Sequence, residues 1–499
     1  MKRSLIWLLP ILLSVVGGLL VAAAFPPWSQ DWLIWVGFIP VLAGLVLFRR
    51  GWLTALIQGA LFGGTFGGMA FSWLWKGGRT GEWCWNAGSL ALVGALWGLI
   101  VNLLVKLPGR GGDQKLSPIL PGHGLSETAW QTSVTHLKGA LLTAAAWTVL
   151  EWIRGFVIPE WNAVGTVIQS NLPLLQISTV LGPSGLTFVA VFSNFIVLAA
   201  VRRLVLEPGR MTWASRFDVT ATLAVLFLAG VAGFWWLQRK PNGSDKKVGL
   251  ICPNTDNFDR LLELTKKQSS EAIDLFVWRC VYFGPGDYNR LADVMGSRPV
   301  ALVSGTTSAG SGLVNGATIV TPGAVRNLIL FPNRRAFFQP GTGSIGRTLN
   351  PFAFADVTWV PFVNWDAADV RLVRAAVARQ MQVIIAITNP IPGHGATEQF
   401  FENLRLWSTS LGRPLIFASN AKFAAIVAAS GRIMAGGRAG SGGDAWTAQI
   451  TVPGPFDSTP YGRYGDWFAV ACGAVCLVTG LSERLRSYGA QSVRGRGRV

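Results

Sequence analysis

The stretch WVPFVNWDAADVRLVRAAV, Trp359 to Val377, reads as a strand running directly into a helix. Val360, Phe362 and Val363 make an apolar strand end, and Val370, Val373 and Val377 then recur at helical spacing. Asp366 and Asp369 fall where the first helical turn begins, a place where the macrodipole favours negative charge. Arg371, Arg374 and Arg379 follow further along. Many α/β enzymes hold a nucleophile at such a junction, because free backbone N–H groups there can bind an oxyanion. This junction carries Asn364, whose amide is no nucleophile.

Short apolar runs flank this unit. KVGLI, DLFVW, VALVSG and ATIVT precede it, QVIIAIT and PLIFAS follow it, and all read as strands together with WVPFV. Phe401, Leu404 and Trp407 mark a second amphipathic helix. These elements place an α/β domain at residues 241–462, long enough for a single core. The polar run RKPNGSDKK links it to what precedes.

Outside that domain the chain is apolar. Overall it is 51% hydrophobic and 14% charged, with a mean hydropathy of +0.41. That charged fraction lies well below the roughly 25% of soluble domains, so the chain reads as an integral membrane protein. Seven candidate spans precede the α/β domain: Ser4–Ala24, Asp31–Phe48, Trp52–Trp75, Ala87–Val105, Gly139–Val157, Ile177–Val201 and Val219–Leu237. An eighth, Trp467–Leu481, follows it and is short for a bilayer needing about 20 apolar residues. The first run is too long for a signal-peptide core of roughly 7–15 residues, and FPPWSQDW after it is no small-residue cleavage site. The expected layout is a seven-span domain at 1–240, the α/β domain, a C-terminal membrane helix at 463–483 and a basic tail at 484–499.

Lysine and arginine concentrate in alternate loops and the tail: Arg49 and Arg50, then Lys106, Arg110, Lys115 and Lys138, then Arg202, Arg203, Arg210 and Arg216. This bias places both termini in the cytoplasm and the α/β domain outside. It also accounts for the net charge of +18, and no nucleic-acid motif accompanies it. Five cysteines form neither a disulfide framework nor a zinc pattern, His123, His136 and His394 show no ligand spacing, and no cofactor is called for. A transporter or channel predicts more polar residues within the spans. Glu151 and Arg154 are the main charges there, and local pairing or snorkelling suffices for them. Of the 23 tryptophans, Trp28, Trp32, Trp35, Trp73, Trp75, Trp83 and Trp85 cluster at outer span ends, as an interfacial belt or as the lining of a lipid cleft.

Several motifs, in order, resemble the apolipoprotein N-acyltransferases. They are AFPPW after the first span, LEWIRG, WNAVG and QIS...GPSGLTF in the membrane part, then CPN, DLFVW, AITN ending at Asn389, RLWSTSLGRP and SNAKFAAIVAASGRI. The resemblance implies a bacterial inner-membrane protein: an α-helical bundle of seven spans plus one, carrying an extracytoplasmic nitrilase-like αββα sandwich. It implies ping-pong acyl transfer from a phospholipid, through a cysteine thioester, to the amino group of a diacylglyceryl lipoprotein. A glutamate serves as base and a lysine stabilises the oxyanion.

Carried over by position, the glutamate falls on Cys280, the lysine on Asn333 beside Arg334, and the nucleophile on Asn364 in the triplet Asn364-Trp365-Asp366. Asp366 matches the family's supporting carboxylate, and Arg334, Trp365 and Asn389 remain as binding candidates. No register slip restores the triad. There is no cysteine between Cys280 and Cys472, no lysine between Lys267 and Lys422, and no glutamate between Glu271 and Glu398. The expected protein is catalytically inactive and binds phospholipid or lipoprotein, or assists an active homologue. The alternative is an active acyltransferase with a relocated nucleophile such as Cys280.

Overall fold

The computed structural model describes residues 2–48, 51–105, 124–158, 163–206, 213–238, 242–255, 257–281, 286–295, 301–306, 316–321, 324–329, 351–363, 367, 370–388, 395–419, 423–438 and 444–496. Its first half is helical: α1 (Lys2–Ala23), α2 (Ile39–Leu47), α3 (Trp52–Ala70), α4 (Ser72–Lys76), α5 (Thr80–Leu104), α6 (Gly124–Val157), α7 (Leu172–Leu175), α8 (Ile177–Leu181), α9 (Pro183–Leu206) and α10 (Trp213–Gln238). Five described helices are long and apolar enough to cross a membrane: α3, α5 and α10, and the apolar stretches Trp130–Val157 of α6 and Pro183–Val205 of α9.

Three expected spans are broken, the third at Phe71 between α3 and the short α4. The second divides into a 3-10 turn, Asp31–Trp35, and the nine-residue α2, which has Pro40 in its first turn. The sixth divides at Gly182, which takes a positive φ of 72° before α9 opens on Pro183. Proline suits the first turn of a helix, where its missing N–H costs nothing. Continuous hydrophobicity hid all three breaks.

Close approach of backbones holds α3 against α5. Gly59 and Gly63 face Gly94 and Leu90, and a Cβ on either glycine would overlap the facing carbonyl oxygen. Spacing by four residues keeps these glycines on one helix face, the small-residue packing common between apolar helices. Phe38, Phe62, Trp97 and Trp147 fill the neighbouring core with edge-on and tilted ring contacts of 5.0–5.9 Å.

The second half is α/β. Its strands are β1 (Gly243–Ile251), β2 (Leu275–Val281), β3 (Ala301–Thr306), β4 (Gly316–Thr321), β5 (Ala324–Ile329), β6 (Phe352–Phe354), β7 (Val357–Val363), β8 (Val383–Thr388), β9 (Leu415–Ser419), β10 (Phe423–Val427), β11 (Ile433–Arg438) and β12 (Ala445–Pro453). Its helices are α11 (Phe258–Gln268), α12 (Asp287–Met295), α13 (Val370–Ala378) and α14 (Ala396–Ser410), then α15 (Pro460–Tyr464) and α16 (Trp467–Arg496) lead out of it. The seven runs read as strands from sequence are all strands.

Two six-stranded sheets result, ordered β12-β1-β2-β3-β4-β5 and β11-β10-β9-β8-β7-β6. They pack face to face through Val248, Leu250, Val277, Ile385, Ile387 and Ile416. On the outer face of the first sheet, Phe276 and Trp278 pack against Leu261 and Leu264 of α11 and Leu291 of α12. On the outer face of the second, Phe362 and Phe417 pack with Val373 of α13 and Phe400 and Leu404 of α14. The layers are therefore helix, sheet, sheet, helix. Parallel strands covered on both faces need continuous apolar sequence, which is why β7 and β8 lack alternation. The cluster containing α13 and α14 continues into α1, α3, α5 and α9, so one core joins the helical half to the α/β half.

Candidate functional site

The candidate site lies where the parallel strands end. β1 is parallel to β2, and β7, β8 and β9 are parallel to one another. The two sheets meet there through Cys252, which follows β1. Its sulfur accepts hydrogen bonds from the backbone N–H groups of Arg279 in β2 and Ser419 in β9.

A bulge sets what β2 presents. Leu275 and Val277 face the inter-sheet core, and Phe276 and Trp278 face outward. Between Trp278 and Val281, β2 spends one more residue than its partner β3. That extra residue turns Cys280 into the inter-sheet core and Val281 outward. Arg279, buried at the bulge, donates from Nη1 to the carbonyl oxygens of Pro253 (2.6 Å) and Thr255 (3.2 Å).

Two thiols thus share the buried strand ends. Burial pushes Cys280 up to about 12, only partly opposed by the Arg279 charge. Burial pushes Cys252 up to about 12 as well, with Arg279 again opposing. At neutral pH such a thiol is ionised to roughly one part in 10⁵, against a few per cent for a free cysteine. In the sequence Cys280 stands out and Cys252 is only the first residue of the CPN motif, and the strand readings do not bring the two together. The signal was present, since each stands just past the matched end of adjacent strands.

Asn333, Arg334, Asn364, Trp365, Asp366 and Asn389 lie outside the described residues. The elements leading to two of them are described: β7 closes on buried Val363 and β8 on buried Thr388, so Asn364 and Asn389 each follow a strand end directly. Among the described residues no group of three or more histidine, cysteine, aspartate or glutamate side chains could hold a metal ion.

The α/β half grips the helical half through α14. Gln399, fully buried, donates from Nε2 to the carbonyls of Pro26 (2.5 Å) and Ala70 (3.0 Å), and its Oε1 accepts from Trp73 Nε1 (3.0 Å). The AFPPW and FSW segments are thereby clamped to the start of α14. Trp73 is accordingly a buried junction residue and no part of an interfacial belt, whereas Trp32, Trp75 and Trp85 are exposed. Three residues further along α14, Glu402 has its carboxyl pushed up to about 8, first by burial, then by the charges of Asp31 and Glu398, with Arg405 opposing. The folded state holds this proton between about pH 4.5 and 8 while the unfolded chain releases it. Stability therefore declines as pH rises through that window. In lipid-free detergent Glu402→Gln should remove the decline and gain on the order of 1–3 kcal/mol over the native protein at pH 9, with little difference at pH 4. Melting temperatures of the two proteins across pH check this, and parallel curves would refute it.

Within the helical half, Glu151 and Arg154 are buried and held by further partners, so neither snorkels to solvent. Glu151 accepts from Thr187 Oγ1 (2.7 Å), Val164 N (2.9 Å) and Trp147 Nε1 (3.3 Å), fastening the 3-10 helix Val164–Ser170 to α6. Arg154 donates to Ser89 Oγ (3.0 Å) and Asn86 Oδ1 (3.4 Å). Arg203, read from sequence as a loop cation, is a buried residue of α9. It donates to Asp218 Oδ1 (2.9 Å), and Asp218 Oδ2 lies 3.0 Å from His136 Nδ1.

Residues 17–196 match the family model described as apolipoprotein N-acyltransferase N-terminal domain. Curated relatives include an apolipoprotein N-acyltransferase of Geobacter metallireducens, 26% identical over 49% of this chain and 43% of that protein. Another, from Bradyrhizobium diazoefficiens, is 29% identical over 29% of this chain and 27% of that protein. The matches thus span less than half the length of either relative. Solved structures with a similar backbone include an amidase from a Nesterenkonia species, with a TM-score of 0.35 and 16% identity over 45% of this chain and 95% of the amidase. They also include the glutamine-dependent NAD+ synthetase of Acinetobacter baumannii, with a TM-score of 0.34 and 13% identity over 41% of this chain and 45% of the synthetase.

Proposed function

We propose that this chain, whose residues 17–196 carry the apolipoprotein N-acyltransferase N-terminal domain, binds phospholipid or lipoprotein without transferring acyl groups. The nitrilase-like half stands on the extracytoplasmic side of a bacterial inner membrane, both termini are cytoplasmic, and an active homologue is a candidate partner. One observation carries the reading. The stretch from Cys280 to Cys472 contains no cysteine, so the β7 junction has no thiol, and Cys280 itself is sealed in the inter-sheet core. Loss of a nucleophile from a catalytic set costs on the order of a millionfold in turnover.

The relocated-nucleophile reading requires Cys280 to ionise and reach solvent, and its burial and raised pKa oppose both. Acyl transfer from a phospholipid to a diacylglyceryl peptide separates the two readings. The native protein and Cys280→Ala are both expected at the rate of the protein-free control. A native rate clearly above that of Cys280→Ala would establish Cys280 as the nucleophile and end the inactive reading.

A further inference from the structure

Among the described residues of the α/β half, 242–464, four large apolar side chains are exposed: Ile433 (45%), Met434 (47%), Phe456 (79%) and Tyr464 (67%). All four belong to segments fastened around the close of α14. The turn between β10 and β11 is held there by Arg405 Nε, which donates to the Gly431 carbonyl (2.7 Å), and by Gln176 Nε2, which donates to the Ser430 carbonyl (2.9 Å). The turn after β12 is held by buried Arg413, which donates from Nη1 to the Gly454 carbonyl (3.1 Å) and from Nη2 to that of Asp457 (2.6 Å). Asp457 Oδ2 accepts from Gly454 N (2.9 Å) and closes the turn, so Phe456 is displayed from a fixed backbone. Thr459 Oγ1 then donates to the Ser410 carbonyl (2.6 Å), beside the end of α14.

Two apolar helices start at this same end. Trp467 opens α16, and its Nε1 donates to the Val180 carbonyl (2.9 Å) in α8. The ring of Tyr461 covers Gly182, just before α9 begins its apolar stretch at Pro183. The surface of a bilayer crossed by α9 and entered by α16 therefore lies level with the four exposed side chains. The opposite side of the half, where α11 covers the first sheet, exposes no large apolar side chain among the described residues. Apolar side chains at the boundary of headgroups and acyl chains leave water, while tyrosine and arginine suit the headgroup level. Arg432 and Arg463, both exposed, adjoin Ile433 and Tyr464 in the chain and match lipid phosphates. We propose that this end is a membrane foot: Ile433, Met434 and Phe456 enter the outer leaflet, and Tyr464, Arg432 and Arg463 meet its headgroups. The foot gives the α/β half a hold on lipid besides α10 and α16, the helices that tether it. The inference rests on the extracytoplasmic placement proposed above and is independent of any acyl transfer.

The test uses the full chain with Cys84→Ser, which removes the exposed native thiol. Met434→Cys, Phe456→Cys and, as a control on α11, Glu263→Cys are each labelled with the fluorophore NBD. The labelled chains are placed in nanodiscs of phosphatidylcholine and phosphatidylglycerol, with or without lipid carrying a nitroxide near its acyl carbonyl. Labels at positions 434 and 456 should lose intensity roughly twofold or more to the nitroxide lipid and resist aqueous iodide, since interfacial groups sit about 5–10 Å into the headgroup boundary. The label at position 263 should do the reverse. Iodide quenching at 434 and 456 equal to that at 263, with no response to the nitroxide, would overturn the foot and leave the placement standing. Nitroxide quenching at 263 as well would overturn the placement and the proposal with it. Labels at 434 and 456 shielded from iodide yet insensitive to the nitroxide would assign this end to a protein partner, against the proposal.

Discussion

Gln399→Leu is expected to weaken the joint between the two halves by about 3–5 kcal/mol. One amide meets three buried groups there, the carbonyls of Pro26 and Ala70 and the indole N–H of Trp73. Leucine fills a similar volume and pairs with none of them. Each buried group left unsatisfied costs about 1–3 kcal/mol, and some relaxation offsets the sum. The loss falls on the joint more than on either core, since the inter-sheet cluster lies on the other face of the second sheet. Limited proteolysis should cut the segment before α14 faster in the variant, while the amides of β2 and β8 keep their protection from hydrogen exchange. Uniform loss of protection would show that the halves do not melt separately. Gln380→Leu, at an exposed position, should change neither measurement.

The second large effect concerns the α3–α5 contact. Gly63→Ala inserts a methyl group where the Leu90 carbonyl already stands, so the helices must separate. Overpacking of this kind costs about 3 kcal/mol, and more where backbone must move. Gly88, in α5, faces open space: nothing lies within 4 Å of a Cβ built there. Gly88→Ala should therefore be neutral or stabilising by up to about 1 kcal/mol through helix propensity. The same chemical change should thus have opposite outcomes at two helical glycines. Thermal inactivation of the purified variants in detergent, compared with the native protein, checks the contrast. Equal melting temperatures for the two variants would show that α3 and α5 do not touch at Gly63.

How much of this was legible in the sequence depends on the range of the forces involved. The strands KVGLI and QVIIAIT declare themselves, because a buried parallel strand must be apolar throughout and β-branched residues suit it. β10, FAAIV, and β11, IMAGGR, did not, since alanine and glycine carry little strand preference and their pairing is decided by neighbouring strands. Hydropathy found the apolar segments and missed the breaks at Gly37–Pro40 and Gly182–Pro183, where backbone geometry changes without any change in polarity. The site was half legible. Spacing located Cys280 at the end of β2, but the bulge that turns its thiol inward is set by pairing with β3. Partners remote in sequence gave no signal: His136 and Asp218 are 82 residues apart, and Gln399 and Pro26 are 373 apart.

The central claim is the proposed one, that this chain has no thiol able to carry an acyl group. Its most direct test is the intact mass of the purified native protein after incubation with excess phospholipid bearing a defined acyl chain, read before and after hydroxylamine. The account predicts one unchanged mass throughout, with phospholipid present only as a dissociable adduct. A covalent increment equal to one acyl chain, removed by hydroxylamine and missing from Cys280→Ala, would contradict it.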